Sequence, residues 1–176
     1  MAKLKLFISM SLDGYLADKE DGLEWLSIVE KQGEDYGYTA FISNVKSYII
    51  GRKTYDVVRQ LLNGEFPYAD KFDCYVITRE QRPEENGVQF YSGDIAGLVA
   101  KLKTENAGDI YCDGGGQIVN LLLKENLIDE FIISIIPVLL GDGKRLFPSP
   151  FPQLNLELVS TQQYDTGLVQ LKYQRR

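Results

Sequence analysis

Apolar and polar positions along this chain follow two rhythms. Short apolar runs rich in β-branched and aromatic residues are followed by segments in which apolar residues recur every three or four positions. The runs Lys3–Met10, Ser47–Ile50, Asp73–Ile77, Val88–Tyr91 and Ile110–Cys112 read as strands. Tyr55, Val58, Leu61 and Leu62 fall at helical spacing, as do the stretch Ile95–Thr104 and the residues Ile118, Leu121 and Leu122. Two more helical segments, Leu23–Lys31 and Asp35–Ser43, follow a polar loop at Tyr15–Glu24. Beyond residue 125 the rhythm changes. Asp129–Pro137 is a long β-branched run, Gly141–Lys144 a loop, and Leu154–Thr161 and Leu168–Tyr173 are strands joined through Asp165-Thr166-Gly167. Strands alternating with helices and then three strands in succession predict one α/β domain over 1–176, with a mostly parallel sheet and an antiparallel C-terminal end.

Everything else is placed relative to the stretch Asp109 to Leu121, a buried strand, then Gly114-Gly115-Gly116, then a helix. Such a turn lets backbone approach a ligand with no Cβ in the way and aims free amides and the positive helix end at one point. A phosphate or pyrophosphate suits it; alone, the triple glycine serves equally well as a tight connection. Gly51-Arg52-Lys53-Thr54 forms a second strand-to-helix turn. Ligands of parallel sheets gather at the carboxyl ends of the strands. Ser9–Asp13, Gly51–Thr54, Thr78-Arg79 and Asp113–Gly116 are therefore expected to share one edge.

Composition narrows the chemistry. A net charge of −6 without a basic cluster argues against nucleic acid, whose affinity comes mainly from Lys and Arg. Histidine is absent, which leaves carboxylates, tyrosine, lysine or water for proton transfer and makes a metal centre unexpected. Cys74 and Cys112 lie in apolar runs and suit buried, reduced thiols. No leader segment is visible, and the longest apolar stretch, Phe131–Leu140, is too short to span a membrane and contains Pro137. A soluble, cytoplasmic protein is expected.

Two glycine turns and two arginines converge on the shared edge. Gly114 to Gln117 can cradle a pyrophosphate, while Arg52, Lys53, Thr54, Thr78 and Arg79 offer a guanidinium fork, an ammonium and hydroxyls to a second phosphate. A cation at a helix start opposes the dipole, which favours a ligand role for Arg52. Gly51-Arg52-Lys53-Thr54-Tyr55, the strand ending Val76-Ile77-Thr78-Arg79, and Gly114-Gly115-Gly116-Gln117-Ile118 together resemble dihydrofolate reductase. Ser11-Leu12-Asp13-Gly14, Leu127-Ile128-Asp129-Glu130 and Pro137 through Gly143 resemble more closely the C-terminal reductase domain of the bifunctional riboflavin-biosynthesis deaminase-reductase and its stand-alone relatives.

The resemblance implies a three-layer dihydrofolate reductase-like sandwich that binds NADPH. It implies that Arg52, Thr78 and Arg79 hold the adenosine 2′-phosphate, that Lys53 and Thr54, after Gly51, touch the phosphate bridge, and that Gly115, Gly116, Gln117 and Ile118, after Gly114, meet the pyrophosphate. Leu16 and Ala17 would border the nicotinamide. Asp35 stands as far ahead of the Gly-Arg-x-Thr turn as the substrate carboxylate of dihydrofolate reductase, and Asp113 matches the acid that precedes the glycines in riboflavin-type reductases. There are departures. Trp25 follows Glu24 where dihydrofolate reductase has a Pro-Trp pair, and an arginine for a glutamate tail is missing, with only Lys71 nearby, so folate is disfavoured. The chain has neither the room nor the zinc ligands for the deaminase half.

The leading expectation is an NADPH-dependent reductase that passes hydride to a small heterocycle of the riboflavin-pathway or pterin type. Asp13, Asp35 and Asp113 are the candidate catalytic acids, and Ser9, Asp13, Trp25, Asp35 and Tyr36 the substrate contacts. The alternatives are a nucleotide-binding protein of the same fold without turnover, and an assembly module that binds no nucleotide. A homodimer is expected, with Ile132, Ile133, Ile135 and Ile136 as a candidate apolar interface alongside their role in the core.

Overall fold

A computed structural model describes residues 2–105 and 107–176. Ten strands and four α-helices run in the order β1 (Leu4–Ser11), β2 (Tyr15–Ala17), α1 (Tyr38–Ile42), β3 (Val45–Gly51), α2 (Arg52–Leu61), β4 (Asp73–Ile77), β5 (Val88–Tyr91), α3 (Ile95–Glu105), β6 (Asp109–Gly114), α4 (Gly116–Lys124), β7 (Glu130–Ile136), β8 (Lys144–Arg145), β9 (Leu156–Gln163) and β10 (Val169–Arg175). The main sheet has eight strands in the order β5-β4-β3-β6-β1-β7-β10-β9. β1 pairs in parallel with both β6 and β7, and β10 joins β7 antiparallel. The predicted α/β class, the mostly parallel sheet and its antiparallel end are all present.

Alternation along the strands sorts residues into two layers. Leu4 and Leu6 of β1, Ile49 of β3, and Ile110 and Cys112 of β6 pack with α3 and α4. Tyr48, Ile50, Cys74, Val76 and Tyr111 face the other way, under α1, α2 and the aromatic segment Phe66–Phe72. This is a three-layer sandwich, dihydrofolate reductase-like as expected. Both cysteines are free and buried, and burial pushes each thiol up to about 12.

The expected helix Leu23–Lys31 is a 3₁₀ segment over Glu24–Val29, and that at Asp35–Ser43 shrinks to the five residues of α1. Gly33, Tyr36 and Gly37 all take positive φ, which breaks the helical path ahead of α1. Part of the predicted loop Tyr15–Glu24 is β2, paired with β8 in a two-stranded sheet too short to show as alternation. Ile132, Ile133 and Ile136 are at most 8% exposed and lie inside the sheet, which makes them core, whereas Ile135 is only partly buried. The edge strands are β5 and β9, and on β9 Leu158 and Val159 are exposed. Among the described residues, no helix is long and apolar enough to cross a membrane.

At the amino end of the parallel strands, a charge network fixes β1 between its neighbours. Lys5 lies 2.7 Å from Asp109 of β6 and 3.7 Å from Glu130 of β7; Glu130 also meets Lys3 at 2.6 Å and Lys172 at 3.3 Å. Burial works to raise the Glu130 carboxyl, but these ammonium partners prevail and hold it below its usual range; the same balance holds Asp109 low. Folded-state pKa values below the unfolded ones mean that this stability is present at neutral pH and is lost as the pH falls through the carboxylate range. Glu130→Ala, which takes the shared carboxylate from Lys3 and Lys172 and leaves Lys5 with Asp109 alone, is expected to cost about 3 kcal/mol in urea denaturation at pH 7 and much less near pH 3. An equal cost at both pH values would show that packing, not charge, is what the substitution removes.

Candidate functional site

The strands β4, β3, β6 and β1 are consecutive in the sheet, so their carboxyl ends lie side by side. Thr78-Arg79, Gly51–Thr54, Asp113–Gly116 and Ser9–Asp13 therefore share one edge, as the sequence predicts. Two helices start there, α2 after Gly51 and α4 after Gly115, and no side chain caps either of them. Their first turns contain no acid. First-turn amides have no intrahelical acceptor, so both starts present free donors and a positive dipole end.

The two starts are in contact. A Cβ on Gly115 would stand 2.5 Å from Thr54 Oγ1, and one on Gly51 would stand 2.7 Å from Ile118 Cγ1. Gly114 has φ +91°, and a Cβ there would meet Ile8 Cδ1 at 2.7 Å. Over Gly116 passes the Arg145 carbonyl, 2.4 Å from where a Cβ would lie. Gly114, through its positive φ, and Gly116, through the backbone carbonyl above it, are thus required by protein packing, while Gly51 and Gly115 are packed against side-chain atoms. Arg79 is exposed and has no ion-pair partner among the described residues. Arg52 instead reaches Asp56 one turn on, at 2.7 Å. Lys53 and Gln117 are exposed, and Thr78 Oγ1 accepts the Glu80 amide at 3.1 Å.

Loops from β1 and β7 close the other side. Asp13 accepts from the Ser11 hydroxyl at 2.6 Å, the Leu140 amide at 3.1 Å and the Gly141 amide at 2.7 Å. The Ser11 hydroxyl, with these amides, holds its carboxyl down at about 2. Asp13 is therefore the clamp of the 138–143 loop, held there as the carboxylate. Leu16 and Ala17 lie on β2, held by β8, with the Arg145 guanidinium donating to Tyr15 Oη at 2.9 Å and stacked 4.6 Å from that ring.

Beside this edge a cleft of about 550 Å³ opens between β1, β7, the Glu24–Val29 segment and the 30–36 loop. Ser9, Asp35 and Tyr36 line it, as expected of substrate contacts, together with Phe7 and Ser134. Ser9 and Ser134 are register partners on β1 and β7. Ser134 Oγ accepts from Gln170 Nε2 at 3.1 Å, whereas the Ser9 hydroxyl has no partner among the described residues. Trp25 packs behind the wall against Val29, Ile136 and Leu168, and its buried indole N–H has no acceptor among the described residues. The Tyr36 hydroxyl is engaged by the Val29 carbonyl and by Thr166. Asp35 accepts amides of Gly37 and Thr39, each at 2.9 Å; the Thr39 hydroxyl and these amides hold it below its usual range, so it stays ionised at neutral pH.

Asp113 differs from both. It is largely buried, with no cation beside it; Tyr111 Oη donates to Oδ1 at 2.5 Å and Tyr48 Oη to Oδ2. Desolvation raises its pKa, and the two tyrosines only partly offset this. The sequence reading found Asp113 but not its partners. Tyr111, two residues earlier on the same strand, was legible from the two-residue period; Tyr48 becomes visible only when β3 is set in register with β6.

The sequence model of the RibD C-terminal domain family matches residues 2–170. The chain belongs to that family. It is 40% identical over 174 residues to the uncharacterized protein YwjB of Bacillus subtilis (strain 168), covering 98% of each. A candidate riboflavin biosynthesis protein from Shewanella sp. PV-4 superposes with a TM-score of 0.89 at 31% identity, over 100% of this chain and 99% of that one. The fold is also shared with the diaminohydroxyphosphoribosylaminopyrimidine deaminase/5-amino-6-(5-phosphoribosylamino)uracil reductase of Thermotoga maritima, with a TM-score of 0.74 at 14% identity, over 99% of this chain and 57% of that one. The RibD-type resemblance read from the motifs is thereby established, on the reductase-like fold it implied.

A raised carboxyl pKa is a destabilising feature at neutral pH, because the fold holds the charged form in a poor environment. Asp113→Asn is expected to raise the melting temperature at pH 8. That gain should vanish as the pH falls through the raised Asp113 pKa towards the ordinary carboxylate range, where the native group takes up a proton. A loss of stability at pH 8 would show that the two tyrosines more than compensate for the burial.

Proposed function

We propose that this chain is an NADPH-dependent reductase that delivers hydride to a small heterocycle of the riboflavin-pathway or pterin type. The observation that carries the reading is the meeting of two uncapped helix starts at one sheet edge, beside a free arginine and next to a cleft. Family membership and the reductase named in the Thermotoga protein support it.

The residues present fit the cofactor. Amides of Gly116 and Gln117 and of Arg52 to Thr54 would receive its phosphates, and Arg79, with Arg52 once released from Asp56, its 2′-phosphate. Bound there, NADPH supplies the hydride. The chain's own groups orient the acceptor ring: Ser9 and Asp35 take its N–H and O–H donors, and Phe7 gives it an apolar face that excludes water. Of the three acids, only Asp113 has a raised pKa, which suits proton transfer; water is the other source. The same reading includes a cytoplasmic homodimer, to which the exposed Leu158 and Val159 of the β9 edge offer an apolar surface.

Titration of the purified protein, followed by nicotinamide fluorescence, is expected to show tighter binding of NADPH than of NADH, weakening with salt. Arg79→Ala should lower NADPH affinity about tenfold and leave NADH unchanged, the size of one charge-assisted contact. Absence of binding by either cofactor would overturn the reading. Light scattering that showed a monomer at every concentration would remove the dimer.

A further inference from the structure

The cleft beside β1 has a charge opposite in sign to the cofactor edge. Glu24, Glu30, Glu34 and Asp35 stand around it. Among the described residues that line it, Lys31 is the single cation, and Lys31 lies 2.5 Å from Asp165, which cancels it. No arginine reaches the lining. The inner wall is apolar, from Leu26, Val29, Ile136 and Leu168, and its floor presents the unpartnered Ser9 hydroxyl.

A phosphate dianion entering this space would meet carboxylates with no counter-charge to receive it. The lone pairs of those carboxylates, and of Ser9, are acceptors suited to N–H groups. We infer that the substrate of this cleft carries no phosphate and is an uncharged or cationic ring bearing amino groups. This departs from the phosphoribosyl compound named for the Thermotoga reductase. The inference rests on the reading above for one point, that the cleft is where the substrate lies.

Cytidine and cytidine 5′-phosphate are a suitable pair of probes, since they share the amino-bearing ring and differ by the phosphate. Trp25 is the only tryptophan and packs against Val29, a residue of the cleft wall, so its indole N–H resonance reports on occupancy. Nitrogen-15 spectra of the full chain titrated with each compound are expected to show cytidine binding about tenfold tighter than the phosphate, the effect of several partly screened like charges. High salt and the double substitution Glu30→Gln/Glu34→Gln should each narrow that gap.

Equal or tighter binding of the phosphate, a gap indifferent to both salt and the substitutions, or no response of Trp25 to either compound would each overturn the inference. NADPH binding is read separately, at the other end of the edge. Discrimination between the probes without NADPH binding would sink the reductase reading and leave this inference standing; the reverse result would do the opposite.

Discussion

The contact between two helix starts is the constraint on which the rest of the edge depends. Gly115 lies against Thr54, and Gly51 against Ile118, each closer than any Cβ allows. That approach is possible because β3 and β6 are parallel neighbours, which brings the turns after them to the same level. It places two sets of free amides and two positive dipole ends together, a costly arrangement for an empty protein surface. Repulsion between them is relieved when an anion sits there, so packing and ligand demand select the same glycines. A glycine-rich turn in sequence therefore does not separate structure from function, because the same absence of Cβ serves close packing and would serve a bound anion.

Much of this was legible in sequence for a definite reason. Strand runs and helix spacing are local, and the four carboxyl ends fall at one edge in any parallel α/β sheet, so the cradle residues needed no tertiary knowledge. The cleft was less legible. Ser9 was nameable from its strand end, but Ser134 becomes its partner only through the β1–β7 register. The 3₁₀ segment Glu24–Val29 mimics a short helix in its apolar spacing, and the three positive-φ residues before α1 leave no mark in hydrophobic pattern. Tyr36 adopts φ +52° because its ring and carbonyl are held by β10 and the 164–168 turn, contacts distant in sequence.

Three aspartates that look alike in the sequence have different fates in the fold. Asp13 and Asp35 each accept several N–H and O–H donors, which stabilises the charged form and leaves them without a proton to donate at neutral pH. Asp113 receives only two tyrosine hydroxyls within an aromatic layer, and desolvation prevails. The tyrosines are themselves pushed upward by the same burial and the same negative neighbour, so they remain donors across the physiological range. A carboxyl with raised pKa, fixed in direction by two donors and seated at the foot of the glycine turn, is the group of the three best prepared to exchange a proton.

Charge along the edge then has a direction. The cradle side gathers Lys53 and Arg79 over two positive helix ends, with Arg52 paired to Asp56, whereas the cleft side gathers carboxylates. Within one small domain whose net charge is −6, such separation would let each side discriminate between ligands by sign. A phosphorylated cofactor and an amino-bearing ring can then approach one edge without competing for the same groups.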